Sequence, residues 1–344
     1  MANWSRFSRF AGKMLVTFGT LLIFIGASSS SAGAADCLKI RAAFDIGSGS
    51  TKMVVAKVNT CQQQVVQILL EQQLGVNYYQ DLQQNGQKLS AKIMQEGLQA
   101  LQTLKAAAQQ KGASDFIAAG TKVFRDAQNV NEFTKKLEKA GIRFQVLSDQ
   151  DEAVLGFRAA AAKTGINPKD LVVWDIGGGS MQIAIGGNPQ NPWDPQDMYL
   201  GNLAAKGFLH IVLTTFYDAK TQTPNPYGKK ITPVQKMAQG LAEALIAPAL
   251  REKIAGKQVV GIGPVHNIAV LKVLEPSTDY RLGQLEKSIK AKANYTDAQL
   301  GNDQFSPETL TNALLVAGFM HALKINQLTP AKIHLGHGLL VQNL

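Results

Sequence analysis

Hydrophobic residues recur in two short runs, each broken by an aspartate and a stretch rich in glycine and serine. Residues 42–56 contain Asp-Ile-Gly-Ser-Gly-Ser at 45–50, and residues 171–185 contain Asp-Ile-Gly-Gly-Gly-Ser at 175–180. Short apolar runs on either side of a glycine-rich turn are typical of β-hairpins. Because the design returns about 130 residues later, we expect two duplicated halves that face each other across a cleft.

Elsewhere the pattern alternates between helix and strand. An N-cap at Ser90 and apolar residues at helical spacing predict a helix that ends at Gly112. Further elements are expected as helices at about 232–253 and 308–326 and strands at 258–263 and 332–336, with nothing assigned over 280–305. Such alternation after an opening hairpin indicates the α/β class, with a mixed sheet and helices in each half.

The chain is long enough for two domains. It has 344 residues, of which 45% are hydrophobic and 17% charged, and this composition excludes a disordered protein. The expected boundaries are 1–35 for a signal peptide, 36–165 for the first domain and 166–344 for the second. The last helix and strand are expected to pack back toward the first domain.

The glycine and serine turns suit a phosphate site. Without a Cβ, backbone N–H groups can approach a phosphate closely, and serine hydroxyls add donors. An aspartate at a strand end offers the oxygen ligands that Mg²⁺ prefers. An ordinary hairpin that needs glycine for its turn is the alternative for either copy alone. Two copies with aspartate at the same offset favour the phosphate site.

The N-terminus has the pattern of a secretory signal peptide. Arg6, Arg9 and Lys13 precede an apolar run over 14–25, and small residues follow, including Ala-Gly-Ala at 32–34. The apolar run is short for a membrane span. We therefore expect a periplasmic or secreted protein without a span after cleavage, and an uncleaved N-terminal anchor is the alternative.

The two cysteines are placed to staple the first hairpin. Cys37 and Cys61 lie at equal distances from Gly49 along the sequence. An antiparallel hairpin centred on Gly49 would bring them opposite each other, and an oxidising compartment permits a disulfide. Two unrelated thiols are the alternative.

The formal net charge of +10 favours an anionic partner. No long basic run with interleaved aromatic residues occurs, so a dedicated nucleic-acid binder is not indicated. The five histidines show no spacing typical of metal ligands. The oligomeric state is left open, a homodimer included.

The turns and two further segments resemble those of a known family. The Asp-Ile-Gly turns are similar to the phosphate-binding turns of the actin, sugar-kinase and heat-shock-chaperone ATPase superfamily. With the segments at 120–129 and 147–157, their order resembles the exopolyphosphatase and guanosine pentaphosphate phosphohydrolase (Ppx/GppA) family in a short, two-domain form. The resemblance implies two actin-like, or ribonuclease H-like, domains with a cleft between them.

The resemblance also implies a role for each matching residue. Asp45 and Asp175 would hold Mg²⁺, Glu152 would orient or deprotonate the attacking water, and Arg125 would grip the terminal phosphates. The implied phosphate ligands are Ser48, Gly49, Ser50 and Thr51 in the first turn and Gly177, Gly178, Gly179 and Ser180 in the second. The alternatives are that Arg125 pairs with a neighbouring acid, Asp126 or Glu132, and that Glu152 is an ordinary acid in the first turn of a helix.

One segment departs from the family pattern. Gly-Pro-Val-His at 263–266 stands where the family usually has Ser-Gly-Thr, and the loss of these donors puts nucleotide recognition in doubt. The first hypothesis is therefore an exported, Mg²⁺-dependent exopolyphosphatase. The alternatives are a hydrolase of extracytoplasmic nucleoside tri- or diphosphates, and a protein that binds polyphosphate or a nucleotide without turnover.

Overall fold

Two β-sheets, one from each half of the chain, form the framework of the protein. The computed structural model describes residues 37–186, 194–218, 220–274 and 279–342. The predicted signal peptide lies outside the described residues and stays a prediction, as do the domain boundaries. None of the helices within these ranges is both long and apolar enough to cross a bilayer.

The first sheet has five strands in the order β3-β2-β1-β4-β5. They are β1 (Leu38–Ile46), β2 (Ser50–Asn59), β3 (Gln64–Gly75), β4 (Asp115–Gly120) and β5 (Arg143–Val146). Strand β1 runs antiparallel to β2 and parallel to β4. Its central position explains why its last six residues are buried.

The second sheet has the order β10-β11-β9-β6-β7-β8. Its strands are β6 (Leu171–Ile176), β7 (Met181–Ile185), β8 (Met198–Gly201), β9 (Gln258–Ile262), β10 (Tyr280–Arg281) and β11 (Gln327–Pro330). Strand β6 runs antiparallel to β7 and parallel to β9. Each half thus opens with a hairpin whose first strand also pairs with a parallel strand, which confirms the predicted mixed sheets.

Helices cover both sheets. They are α1 (Tyr78–Gln84), α2 (Ala91–Gln110), α3 (Lys122–Asp126), α4 (Val130–Lys139), α5 (Asp149–Thr164), α6 (Ala205–Phe216), α7 (Ile231–Leu245), α8 (Pro248–Ile254), α9 (Val270–Val273), α10 (Leu282–Ala291), α11 (Ser306–Ala322) and α12 (Leu335–Leu339). A wide helical turn, Val265–Ala269, leads into α9.

Each half has an aromatic core. In the first half, Phe124 stacks on Phe133 with ring centroids 5.6 Å apart, and Tyr78 meets Phe124 edge-on. In the second half, the fully buried Trp174 packs on Phe319 of α11 and on His266. Because hydrophobic burial is the main favourable term in folding, the packing of these clusters stabilises the two hairpins.

Helix α5 and the C-terminal helix α12 join the two halves. Ala153 and Phe157 of α5 pack in one cluster with Val173 and Ala184 of the second hairpin. Leu335 and Leu339 of α12 pack with Ala43 and Val54 of the first hairpin. The chain therefore returns to the first sheet at its end.

Two expectations for the second half are wrong, and one stretch that was left unassigned has regular structure. The last strand is Gln327–Pro330, and the residues predicted as strand, 332–336, run into α12. The helix expected over 232–253 is broken into α7 and α8, because Pro248 starts a new helix. The unassigned residues 280–305 contain β10 and α10.

The first hairpin is closed by the disulfide between Cys37 and Cys61, whose Cα atoms lie 5.4 Å apart. The register pairs Asp45 with Lys52, so the hairpin is centred between Ser48 and Gly49 and not on Gly49 itself. Cys61 therefore lies one position beyond the register partner of Cys37, just after β2. The bridge connects the end of the hairpin that is remote from the turn.

Candidate active site

The two glycine and serine turns have the same backbone. In the first, Gly47 N–H donates to the Ser50 carbonyl at 2.9 Å, and in the second, Gly177 N–H donates to the Ser180 carbonyl at 3.0 Å. In both, the aspartate is the next-to-last residue of the strand that enters the turn. Both copies of the sequence pattern therefore fold alike.

The carbonyls of both turns are tied to neighbouring segments. Ser48 O accepts from Tyr79 N–H of α1 at 2.9 Å, and Gly49 O accepts from Val76 N–H at 3.2 Å. In the second turn, Gly177 O and Gly178 O accept from the first two N–H groups of α6 at 3.3 and 3.1 Å. These bonds fix the orientation of the peptide groups.

The N–H groups at the tips of the turns remain available for an anion. Within the described part of the chain, the N–H groups of Ser48, Gly49, Gly178 and Gly179 donate to no protein acceptor. Successive N–H groups without acceptors form the concave surface that binds phosphate in many proteins. The turns therefore have the donors that the phosphate prediction requires.

The two turns face each other at close range. A Cβ placed on Gly178 would lie 3.8 Å from Ser48 Cβ, and one placed on Gly179 would lie 3.6 Å from Ser48 Oγ. Larger residues at these two positions would fill the space between the turns. The absence of side chains there keeps the backbone of the second turn open to the first.

The aspartates of the two turns differ in their surroundings. The buried Asp45 lies 3.6 Å from Lys52 Nζ, its partner across the hairpin. Asp175 lies opposite the neutral Gln182. Burial raises the pKa of Asp175 to about 6, while the positive charge of Lys52 opposes this shift and the negative charge of Asp45 adds to it. The two carboxylates therefore repel each other across the site.

Glu152 reaches the same site from α5. It is buried in the first turn of that helix, which begins at Ser148 with a reciprocal capping box. Burial raises the pKa of Glu152 to about 8, Arg125 opposes the shift, and the charges of Asp175 and Asp149 add to it. Because α5 packs on the second sheet, a residue of the first half lies near the aspartate of the second.

Arg125 is held by acids other than those considered from the sequence. Its Nη1 lies 2.6 Å from Glu152 Oε2 and donates to the Leu147 carbonyl at 2.7 Å. Its Nη2 contacts Asp149. Asp126, one of the two expected partners, instead pairs with Lys122 at 3.0 Å. Arg125 thus fixes the end of α5 and the Glu152 carboxylate together.

One predicted phosphate ligand is not at the surface of its turn. Thr51 is fully buried, and its side chain faces the first core near Tyr78. The complete burial of Thr51 favours a role in the core over contact with a phosphate. The other predicted turn residues, together with Asp45, Asp175 and Glu152, lie around the space between the two turns.

Three residues that the sequence reading did not assign also lie at the site. Gln182 is buried opposite Asp175, and its Nε2 has no hydrogen-bond acceptor among the described residues. His334 Nδ1 lies 3.7 Å from Asp45 Oδ2. Lys206, the second residue of α6, extends past Gly178. Only the sheet register and the return of the C-terminal segment reveal these neighbours.

The residues present fit a divalent cation. Two carboxylates that repel each other, Asp45 and Asp175, would be stabilised by a positive ion between them. Within the described ranges, no three His, Cys, Asp or Glu side chains converge on one point. This donor set suits Mg²⁺, which commonly takes one or two carboxylates and completes its shell with water and phosphate oxygens.

The segment after β9 is packed into the structure. Gly263 has a positive φ of 84°, and a Cβ there would lie 2.3 Å from Asp175 Oδ1. His266 is fully buried and its Nδ1 lies 2.7 Å from the Tyr280 hydroxyl. Asn267 Nδ2 donates to the carbonyls of Gly263 and Ala331. Gly263 thus lies where only glycine fits against Asp175.

A comparison with protein families agrees with this geometry. The sequence model of the Ppx/GppA phosphatase family matches residues 54–195, which include the second turn, Arg125 and Glu152. Over these residues the chain is similar to the Ppx/GppA family, as the resemblance of its motifs predicted. The predicted class, a hydrolase that acts on phosphoric anhydrides, is confirmed with the family.

Solved structures of Ppx/GppA proteins share the fold. A family member from Aquifex aeolicus is 17% identical, with a TM-score of 0.69 over 88% of this chain and 97% of that chain. An exopolyphosphatase from Cytophaga hutchinsonii is 15% identical, with a TM-score of 0.68 over 88% of this chain and 96% of that chain. At these identities the likeness concerns the fold, and it confirms the predicted α/β architecture of two mixed sheets with helices, which is consistent with two actin-like domains.

Proposed function

We propose that the protein is an exported, Mg²⁺-dependent exopolyphosphatase that releases phosphate from the ends of inorganic polyphosphate. The observation that carries the proposal is the pair of facing turns with the buried Glu152 beside them. Two sets of N–H donors suit a chain of neighbouring phosphates better than a single phosphate group. The basic net charge of +10 favours a polyanion as well.

Different residues of the chain would have different roles in an in-line displacement. The turns would bind and orient the phosphates, and Glu152 would accept a proton from the attacking water. The new bond joins the water oxygen to the terminal phosphorus, and the bond from that phosphorus to the bridging oxygen breaks. The shortened chain leaves with the electron pair of that bond. Arg125, held beside Glu152, would stabilise charge on the transferred group.

Asp45 and Asp175 are the residues that would hold Mg²⁺. When bound there, Mg²⁺ would neutralise negative charge on the phosphate chain. Lys52 lies 3.6 Å from Asp45 and lowers the pKa of Asp175. It would therefore favour the ionised form of Asp175, which is the form that binds a cation.

Polyphosphate is favoured over nucleotides by the segment that follows β9. His266 is buried against Trp174, and Asn267 uses its amide N–H groups within the fold. Pro264 has no N–H to donate. The His266 ring is buried and the Asn267 amide donates within the fold, so this segment offers little recognition for a base or ribose.

Export is supported by two observations. The disulfide between Cys37 and Cys61 suits an oxidising compartment. The basic and apolar pattern of the first 35 residues is that of a signal peptide. The same compartment argues against guanosine pentaphosphate, a cytoplasmic signal, as the substrate.

The test compares the rates of phosphate release from three substrates and measures the effect of removing the Glu152 carboxylate. Purified protein lacking residues 1–35 is assayed with Mg²⁺ for phosphate release from polyphosphate, ATP and GTP. We expect the highest kcat/KM for polyphosphate and a loss of about 100-fold or more in Glu152→Gln, the effect of removing a general base. Glu132→Gln is the matched control, since Glu132 is an exposed acid in the first turn of α4.

Three results would contradict the proposal. Faster hydrolysis of ATP than of polyphosphate would assign the enzyme to nucleotides. Full activity in Glu152→Gln would remove the proposed base. Tight binding of polyphosphate without phosphate release would make the protein a binding protein.

A further inference from the structure

The cations that surround the two turns differ in how their charges are balanced. Lys52 lies 3.6 Å from Asp45, Lys122 lies 3.0 Å from Asp126, and Arg125 contacts Asp149 and Glu152. Each of these side chains has a carboxylate partner. Lys206 has none within 4.0 Å among the residues that the structure describes.

Lys206 is fixed to the second turn through its backbone. Its N–H donates to the Gly178 carbonyl at 3.1 Å, at the start of α6. Its side chain then runs along that turn, since a Cβ on Gly178 would lie 3.8 Å from Lys206 Cε and equally close to Ser48 Cβ. The lysine stem therefore lies beside the point where the two turns face each other.

The end of the side chain reaches the other half of the molecule. Lys206 Nζ lies over the ring of Tyr79, 4.3 Å from its centroid. Tyr79 is itself fixed to the first turn, because its N–H donates to the Ser48 carbonyl at 2.9 Å. The contact between Lys206 and Tyr79 thus connects the segments that support the two turns.

The environment of this ammonium group disfavours its charged form. Lys206 is half-buried, and burial lowers its pKa, while the charge of Glu308 in the first turn of α11 opposes this shift. A cation–π contact replaces only part of the lost hydration. An anion that entered between the turns would supply the missing partner.

We propose that Lys206 is a phosphate-binding residue of the cleft, which contacts the phosphate chain between the two turns while Tyr79 positions its side chain. The inference rests on the proposed function for the identity of the anion, and it adds a residue that neither hairpin motif contains. Lys206 would bind the ground state of the substrate and not the reacting water, so it should affect KM more than kcat.

The first experiment measures the kinetics of Lys206 variants with polyphosphate. Lys206→Met is expected to raise KM about 10-fold, the loss for one charge-assisted hydrogen bond, with kcat within about 2-fold. Lys206→Arg should recover most of the affinity because it keeps the charge. Lys230→Met is the matched control, because it also removes a lysine that contacts a tyrosine ring. Lys230 Nζ lies 3.8 Å from the ring centroid of Tyr217, which follows the C-terminal end of α6, whereas Lys206 lies at the N-terminal end.

Tyr79 variants separate positioning from simple packing. Tyr79→Phe keeps the ring and should leave KM unchanged, whereas Tyr79→Leu should raise KM about 3-fold, as expected from the loss of one cation–π contact. The hydrogen bond to the Ser48 carbonyl comes from the backbone and survives both changes. A role in fold stability alone would lower the melting temperature and leave KM unchanged.

The second experiment keeps this inference separate from the proposed activity. Inorganic tripolyphosphate is titrated with Mg²⁺ into Glu152→Gln and into Glu152→Gln combined with Lys206→Met, and the heat of binding is measured. A Kd about 10-fold weaker in the double variant supports the role of Lys206 even if the wild type hydrolyses no polyphosphate. An equal Kd overturns the inference, as does an equal loss in Lys230→Met, and neither result bears on hydrolysis.

Discussion

The first and second turns hold their aspartates at the same strand position but pair them with different residues. Across the first hairpin, Asp45 faces Lys52, and across the second, Asp175 faces Gln182. The disulfide between Cys37 and Cys61 staples the first hairpin. Trp174, on the second, packs against a buried histidine.

The two turns share one backbone conformation, but the charges around their aspartates differ. The first turn carries its own counter-charge, so Asp45 is balanced without a ligand. The second turn leaves Asp175 with a pKa raised to about 6 by burial, and the cation whose charge opposes this shift, Lys52, belongs to the other hairpin. The two halves therefore complete one electrostatic site together.

The largest effect should distinguish the two aspartates. Asp175→Asn is expected to lower the rate of phosphate release on the order of 100-fold, as for the loss of a group that stabilises transition-state charge. Asp45→Asn should cost less, because it also frees Lys52 for the substrate. Rates measured across a Mg²⁺ titration check this. Equal losses would mean that the turns are equivalent despite their different partners.

The disulfide between Cys37 and Cys61 should affect the free energy of unfolding and not the rate of phosphate release. Replacing both Cys37 and Cys61 by serine is expected to lower the free energy of unfolding by about 3 kcal/mol, because the bridge closes a loop of modest length in the unfolded chain. Urea unfolding measures the loss, and wild type with a reducing agent is the control. A large fall in activity at a temperature where the variant stays folded would contradict this expectation.

Exchanging the cross-strand partner would make the second hairpin resemble the first. Gln182→Lys places an ammonium group opposite Asp175 and should weaken the activation by Mg²⁺ about 10-fold through competition for the carboxylate. Gln182→Met is the control for shape without charge. If both variants respond equally to Mg²⁺, packing at this position matters and charge does not.

The smallest effect concerns the buried histidine of the second half. Burial lowers the pKa of His266 to about 3, so between pH 6.5 and 3 the unfolded state binds a proton that the folded state does not. Stability from this group is complete above pH 6.5 and is lost as the pH falls through that range. At pH 5.5 the loss should be about 1 kcal/mol relative to pH 8. Unfolding curves at the two pH values should differ less in His266→Gln, and an equal difference would refute this explanation.

The elements that depend on local pattern could be predicted. Glycine and serine after an aspartate, between apolar runs, is a signal contained within about fifteen residues, and both hairpins follow it. The disulfide follows from the same register, although its centre is shifted by half a residue step. Predictions failed where the local signal is ambiguous, as at 332–336, where Ile333 and Leu335 alternate as in a strand but the segment leads into α12.

The arrangement of the site depends on contacts between distant segments. The sequence alone determined the two turns, their aspartates, the disulfide and the resemblance to the Ppx/GppA family. Only the tertiary structure brought Glu152 next to Asp175, because α5 of the first half packs on the sheet of the second. Only it placed Lys206 over Tyr79. Backbone preferences act over a few residues, whereas charges and packing act between any residues that the fold brings together, and so the turns can be read from the sequence and their partners cannot.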